Sequence, residues 1–251
     1  MSPIEVSAII FCCIFGGALL GMWLRHALPE RHLDAETKDL VKLGVGLIGT
    51  MAALLLGLLV ASAKSAYDAR SDELMQMAAN TVQLDRGLVH YGPAAAPIRG
   101  LLKVAVATMI DQVWGHDSAD PRVALQASQP LGLVFDKIAE LEPHSDAQHA
   151  IQSQVESVLI NVGQERLLLF AQSGSSISTP FLVVVVFWLT VLFVSFGLFA
   201  PRNPTAIVVL LVAAISVAGA LYLILDLDHP FSGLMQISSA PLSNALSVLG
   251  Q

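Results

Sequence analysis

The chain has 251 residues, of which 55% are hydrophobic and 13% charged, about half the quarter usual in soluble domains. A soluble protein of this length cannot hide that much apolar surface, which excludes an ordinary cytosolic enzyme, a disordered chain and a collagenous one. The formal charge of -7 excludes a basic nucleic-acid footprint, and the two cysteines, adjacent in an apolar run at Cys12 and Cys13, exclude a disulfide framework.

A bilayer core takes roughly 20 apolar residues in helical form. The first segment to meet that length is Ile4 to Leu24, with Glu5 at its start. No Lys or Arg precedes Arg25, and Met22-Trp23-Leu24 stand where a signal peptide would need small residues for cleavage. The segment therefore reads as a retained span. Leu43 to Ala63 is the second span and carries no charge. In lipid every backbone N–H and C=O must bond internally, so these runs are expected to be helices.

Span two has the most structured pattern. Gly46, Thr50, Ala53, Gly57 and Ala61 form one stripe, with Gly49 beside it; Ile48, Met51, Leu55 and Leu59 are read onto the opposite face. Small residues at this spacing let helix backbones approach closely, so the stripe reads first as a helix-packing face. The second reading is a symmetric assembly with span two around a central axis. Ile48, Met51, Leu55 and Leu59 then become candidates for an apolar neck that gates by dewetting.

Residues 64–179 hold 8 Lys/Arg and 13 Asp/Glu and read as a helical extramembrane domain. Leu74, Met77, Thr81, Leu84, Leu88 and Tyr91 follow helical 3-4 spacing, and Tyr91-Gly92-Pro93 stops that helix. Ile98, Leu101, Leu102, Ala105, Val106, Met109, Ile110 and Val113 mark a second helix. A loop is expected over 115–130, then a short helix from Leu131 to Glu142. Ile151, Val155, Val158, Leu159, Val162 and Leu169 mark a long last helix. The domain is expected to run continuously into the ends of spans two and three. The run Ser173-Gly174-Ser175-Ser176 has no preceding strand and reads as a linker.

Pro180 to Ala200 and Thr205 to Leu225 are charge-free spans three and four, turning on Pro201-Arg202-Asn203-Pro204. The expected fold is an all-α membrane protein: two hairpins (residues 1–63 and 180–225), the helical domain between them, and a tail over 226–251. At the head of the tail, Asp226, Asp228 and His229 form a possible cation site, weighed against ordinary polarity at a Pro-stopped helix end. Calcium needs six to eight oxygens, and only two carboxylates are local. The seven histidines show no H-x-x-x-H pair, and neither a G-x-S-x-G nor a Walker A motif occurs. No catalytic constellation, cofactor site or confident metal site is expected. Without ionisable residues inside the last three spans, a proton-coupled pump is disfavoured.

The run Gly49-Thr50-Met51-Ala52-Ala53-Leu54-Leu55-Leu56-Gly57-Leu58-Leu59-Val60-Ala61-Ser62-Ala63-Lys64-Ser65-Ala66-Tyr67-Asp68 resembles the signature of a bacterial family labelled bestrophin-like domain proteins. So do Phe187-Trp188, Phe196-Gly197-Leu198-Phe199-Ala200-Pro201-Arg202-Asn203 and Leu227-Asp228-His229-Pro230-Phe231-Ser232-Gly233. More distantly the chain is similar to bestrophins, pentameric anion channels with a 2+2 layout around a helical domain. Their Asp-Pro-Phe-Gly-like motif is approached by Asp228-His229-Pro230-Phe231-Ser232-Gly233, and Ser239-Ala240-Pro241-Leu242 resembles a following Pro-Leu element. Two features depart from that pattern. Span two lacks the aromatic neck residues, and the acidic calcium clasp of animal bestrophins is absent, which argues against calcium gating.

The resemblance implies an oligomeric, anion-conducting channel of a bacterial inner membrane, a homo-oligomer in the lipid bilayer that binds no nucleic acid. The alternative is a non-conducting scaffold or sensor whose helical domain binds a partner. The two hairpin turns carry Arg25, Arg31, Lys38, Lys42 and Arg202, against Lys64, Arg70 and Arg166 on the domain side. That count favours the domain outside, whereas the resemblance implies the cytoplasm.

Overall fold

A computed structural model describes residues 2–27, 35–115, 128–171, 177–201, 203–231 and 233–250. Most of the loop expected over 115–130, the serine run at 173–176, the cations Arg31 and Arg202, and the Leu169 side chain lie outside the described residues. Every regular element among the described residues is helical: α1 Pro3–Ala27, α2 Ala35–Tyr91, a 3-10 turn Pro93–Ala95, α3 Ala96–Trp114, α4 Ser128–Ala139, α5 Asp146–Ala171, α6 Thr179–Phe199, α7 Pro204–Leu227 and α8 Ala240–Val248.

Proline sets several of these starts. The 3-10 turn, α3, α6, α7 and α8 each carry Pro in the first two positions, where the missing N–H would have had no partner. Gly92 closes α2 at φ +117°, a conformation that a side chain would strain. No proline occurs anywhere in α2, so nothing interrupts it, and it runs unbroken for 57 residues. The continuity expected between the domain and span three is absent: α5 and α6 are separate elements, and α6 has its own N-cap at Ser178 and a proline in its first turn.

Among the described residues five helices are long and apolar enough to cross a membrane: Pro3–Ala27, Lys38–Tyr91, Pro93–Trp114, Thr179–Phe199 and Pro204–Leu227. The third of these, containing α3, is the least apolar and was expected in the extramembrane domain.

The chain divides into two compact units. Unit one comprises residues 1–66 and 175–229. In it α1 packs against both α6 and α7. Ile10, Ile14, Gly17, Ala18 and Gly21 of α1 are buried at 3-4 spacing, as are Val185, Leu189, Leu192, Phe193 and Gly197 of α6. The outward faces are equally apolar. Leu20, Trp23, Val183, Phe187, Val209 and Val212 are all exposed, a surface suited to lipid and not to water. Arg25 Nη1 donates to Ala200 O and joins the ends of α1 and α6.

Unit two comprises residues 67–174 and 230–251. Its core brings together Leu74, Met77, Leu84 and Leu88 of α2, Ile98, Leu102 and Val106 of α3, Val134 and Ile138 of α4, and Val155, Leu159 and Val162 of α5. Here the faces read from helical spacing are the buried ones. The residues after His229 do not stand apart as a tail. Ile237, Leu242, Ala245 and Leu249 enter the same core. Trp114 fastens them, donating from Nε1 to Ile237 O at 2.8 Å and meeting Phe231 edge-on at 5.8 Å.

Candidate functional site

The site singled out by sequence is the first half of α2. Between Leu43 and Ala63 it carries no charge, and its side chains sort cleanly by burial. Ala52, Leu59 and Ala63 are buried within the chain, spaced so that they share a face. Gly49 lies beside them; a Cβ built there would be 3.9 Å from Leu192 Cδ2 of α6, an ordinary contact.

The small stripe looks away. Gly46, Thr50, Ala53, Gly57 and Ala61 are all exposed, and a Cβ at Gly46 or Gly57 would meet nothing within 4 Å. Within the chain, these residues therefore do not serve as a helix-packing face. Thr50 turns its hydroxyl back to Leu47 O at 2.8 Å and so presents no free donor. Beside the stripe runs a bulky one at the same spacing: Leu47 (60% exposed), Met51 (47%), Leu54 (75%) and Leu58 (60%). Of the four neck candidates, Met51 lies in this open sector, Ile48 and Leu55 are half-buried, and Leu59 is 4% exposed. A side chain enclosed by its own subunit cannot line a lumen, which is the physical objection to Leu59.

The close helix approach lies elsewhere, in residues the sequence reading passed over. A Cβ at Gly21 would fall 2.0 Å from Val194 O, and one at Gly197 would fall 2.0 Å from Ala18 O. At Gly17 it would fall 3.0 Å from Thr190 Cγ2. The α1–α6 contact is thus backbone against backbone. The signal was present, since Gly17 and Gly21 stand four apart in a membrane span.

At the end of α7, Asp226 and Asp228 are buried and His229 is exposed. The His229 Nδ1 lies 3.0 Å from Leu225 O, and Tyr222 Oη lies 3.5 Å from Asp226 Oδ1. Among the described residues no group of three or more His, Cys, Asp or Glu is arranged to hold a metal ion, so these three do not make the cation site considered from sequence. The two aspartates read as buried polar groups within the fold.

Unit two holds charged groups between α2 and α5. Asn80 Nδ2 donates to Glu165 Oε1 at 2.7 Å. Burial raises the Glu165 pKa; the Asn80 hydrogen bond opposes that and the charge of Glu73 adds to it. Burial lowers the pKa of the neighbouring Arg166. Across the Gly92 turn, Asp85 accepts from Arg99 Nε at 2.8 Å and Nη2 at 3.0 Å, a two-pronged pair.

A family model described as "Bestrophin-like domain" matches residues 12–242. No curated protein matches the sequence. In three dimensions the chain is similar to a mutant of a bacterial bestrophin homolog from Klebsiella pneumoniae, with TM-score 0.69 and 15% identity over 100% of this chain and 99% of that one. A structure of the Klebsiella homolog phased on zinc gives TM-score 0.66 and 13% identity over 94% and 97%. A further crystal structure, described as a membrane protein, gives 0.65 and 14% over 97% and 96%. At these identities the likeness establishes the fold.

Proposed function

This chain belongs to the bestrophin-like domain family, and from that premise we propose that it forms an oligomeric membrane ion channel, anion-conducting, with the first half of α2 around the central axis. The observation that carries the proposal is the open sector of α2. A charge-free helix of membrane length, backed on one face by its own subunit, leaves Leu47, Met51, Leu54, Leu58 and the small stripe uncovered. In a closed ring this sector meets the neighbouring subunit or the lumen. The small stripe suits the neighbour, because it admits close approach. The bulky stripe suits an apolar neck, and it takes over that role from Leu59.

In this reading α1, the first half of α2, α6 and α7 cross the membrane as two hairpins, and unit two lies outside the bilayer. The helix α3 stays with unit two because its apolar face closes that core through Ile98, Leu102 and Val106. Residues 1–63 and 180–225 are then the two membrane hairpins.

The test is current across a planar bilayer holding the purified protein under a chloride gradient, for the wild type and Leu54→Ala. Currents that reverse near the chloride potential and grow in Leu54→Ala support an anion channel with Leu54 in the neck. Reversal at the cation potential overturns the ion choice. Silence in both proteins overturns conduction and favours the scaffold.

A further inference from the structure

We propose that unit two carries a binding site for a small organic carboxylate, in the groove between residues 83–90 of α2 and 151–158 of α5. The groove measures about 390 Å³, within the range of small-molecule sites. One bank is built by Gln83, Arg86 and His90, which recur at helical spacing on one face of α2 and are all exposed. The floor is apolar, made by the buried Val155 and Val158 of α5. Gly87 keeps that floor low: a Cβ there would sit 2.6 Å from Val155 Cγ2.

Charge selects the occupant. The chain has 20 acids against 13 Lys and Arg, yet among the described residues no carboxylate lines the groove. Arg99, the next arginine, is held by Asp85. Arg86 makes no ion pair among the described residues, so its planar fork is open to a ligand. A carboxylate takes that fork with two parallel hydrogen bonds. The amide of Gln154, on the opposite bank, adds a neutral donor. An inorganic anion can take the same fork, but it leaves the two valines without an apolar partner. A carboxylate on a short apolar body satisfies both the fork and the floor. Such a group can come from water, as a short-chain acid, or from the bilayer, as a free fatty acid.

The experiment uses the full chain in zwitterionic lipid nanodiscs and follows hexanoate binding by ligand-observed NMR. Saturable binding is expected, tightening roughly fourfold per methylene from butanoate to hexanoate. Arg86→Gln should weaken hexanoate about tenfold or more. Gln154→Glu, which sets a like charge in the groove, should abolish binding. Both positions are exposed, so both variants should melt with the wild type. Absence of saturable binding would overturn the proposal. So would hexan-1-ol or hexylammonium binding as tightly as hexanoate, or an unchanged affinity in Arg86→Gln. Repeating the titration with oleate in the bilayer separates the sources. Loss of the hexanoate signal assigns the membrane, and an unchanged signal assigns water.

Discussion

Replacing Gly21 by alanine adds one methyl group, and the structure says where it must go. The new Cβ would stand 2.0 Å from Val194 O and 2.9 Å from both Val194 C and Leu198 N. Real Cβ atoms essentially never approach within 3.0 Å, so α1 and α6 must part by about 1 Å. All three obstructing atoms are backbone, and none can rotate aside. Overpacking a well-packed interface costs about 1–3 kcal/mol. A gap of that width also forfeits a quarter to a half of the dispersion energy along the contact. The expected loss is about 2–3 kcal/mol, which for a chain of this size lowers Tm by about 4–12 °C. The assay is thermal unfolding of the purified protein in a single detergent, read by tryptophan fluorescence. Gly219→Ala, on the exposed side of α7, is the internal control. Its Cβ meets nothing within 4 Å, and removing a helical glycine gains about 0.5–1 kcal/mol. A wild-type Tm for Gly21→Ala, or equal losses in both variants, would refute the backbone contact between α1 and α6.

Two further predictions concern unit two. The raised pKa of Glu165 means the folded carboxyl keeps its proton to higher pH than in the unfolded chain. Its contribution is therefore complete below the ordinary carboxylate range and is lost as pH rises through the folded pKa. Glu165→Gln, which retains an acceptor for Asn80, should flatten that fall and raise Tm on its alkaline side; a pH series of melts that is parallel for the two proteins would refute it. Trp114→Phe keeps a ring against Phe231 but deletes the 2.8 Å hydrogen bond to Ile237. The expected cost is about 1 kcal/mol, seen as faster protease cleavage within residues 230–240; an unchanged cleavage rate would show that the bond does not hold the segment.

What the residues alone determine here is the type and length of the helices and most of their ends. Backbone polar groups in lipid leave the apolar runs no other form, and Pro93, Pro180 and Pro204 mark starts that any reader of the chain can find. In unit two even the inward faces were legible. Leu74, Met77, Leu84 and Leu88 alternate with polar neighbours, and water on the outside makes the contrast visible. In the membrane half that contrast vanishes. Every face of span two is apolar, so spacing alone could not tell Leu59, which its own chain encloses, from Leu54, which stands open. For the same reason it could not tell a small-residue stripe left bare, around Gly57, from one pressed against a backbone, at Gly21. Nor does the sequence say that Ile237 and Leu249 belong to the core of unit two, because that contact closes across more than a hundred residues of chain. Local periodicity carries the element; only the packing of one helix on another decides which of its faces is occupied.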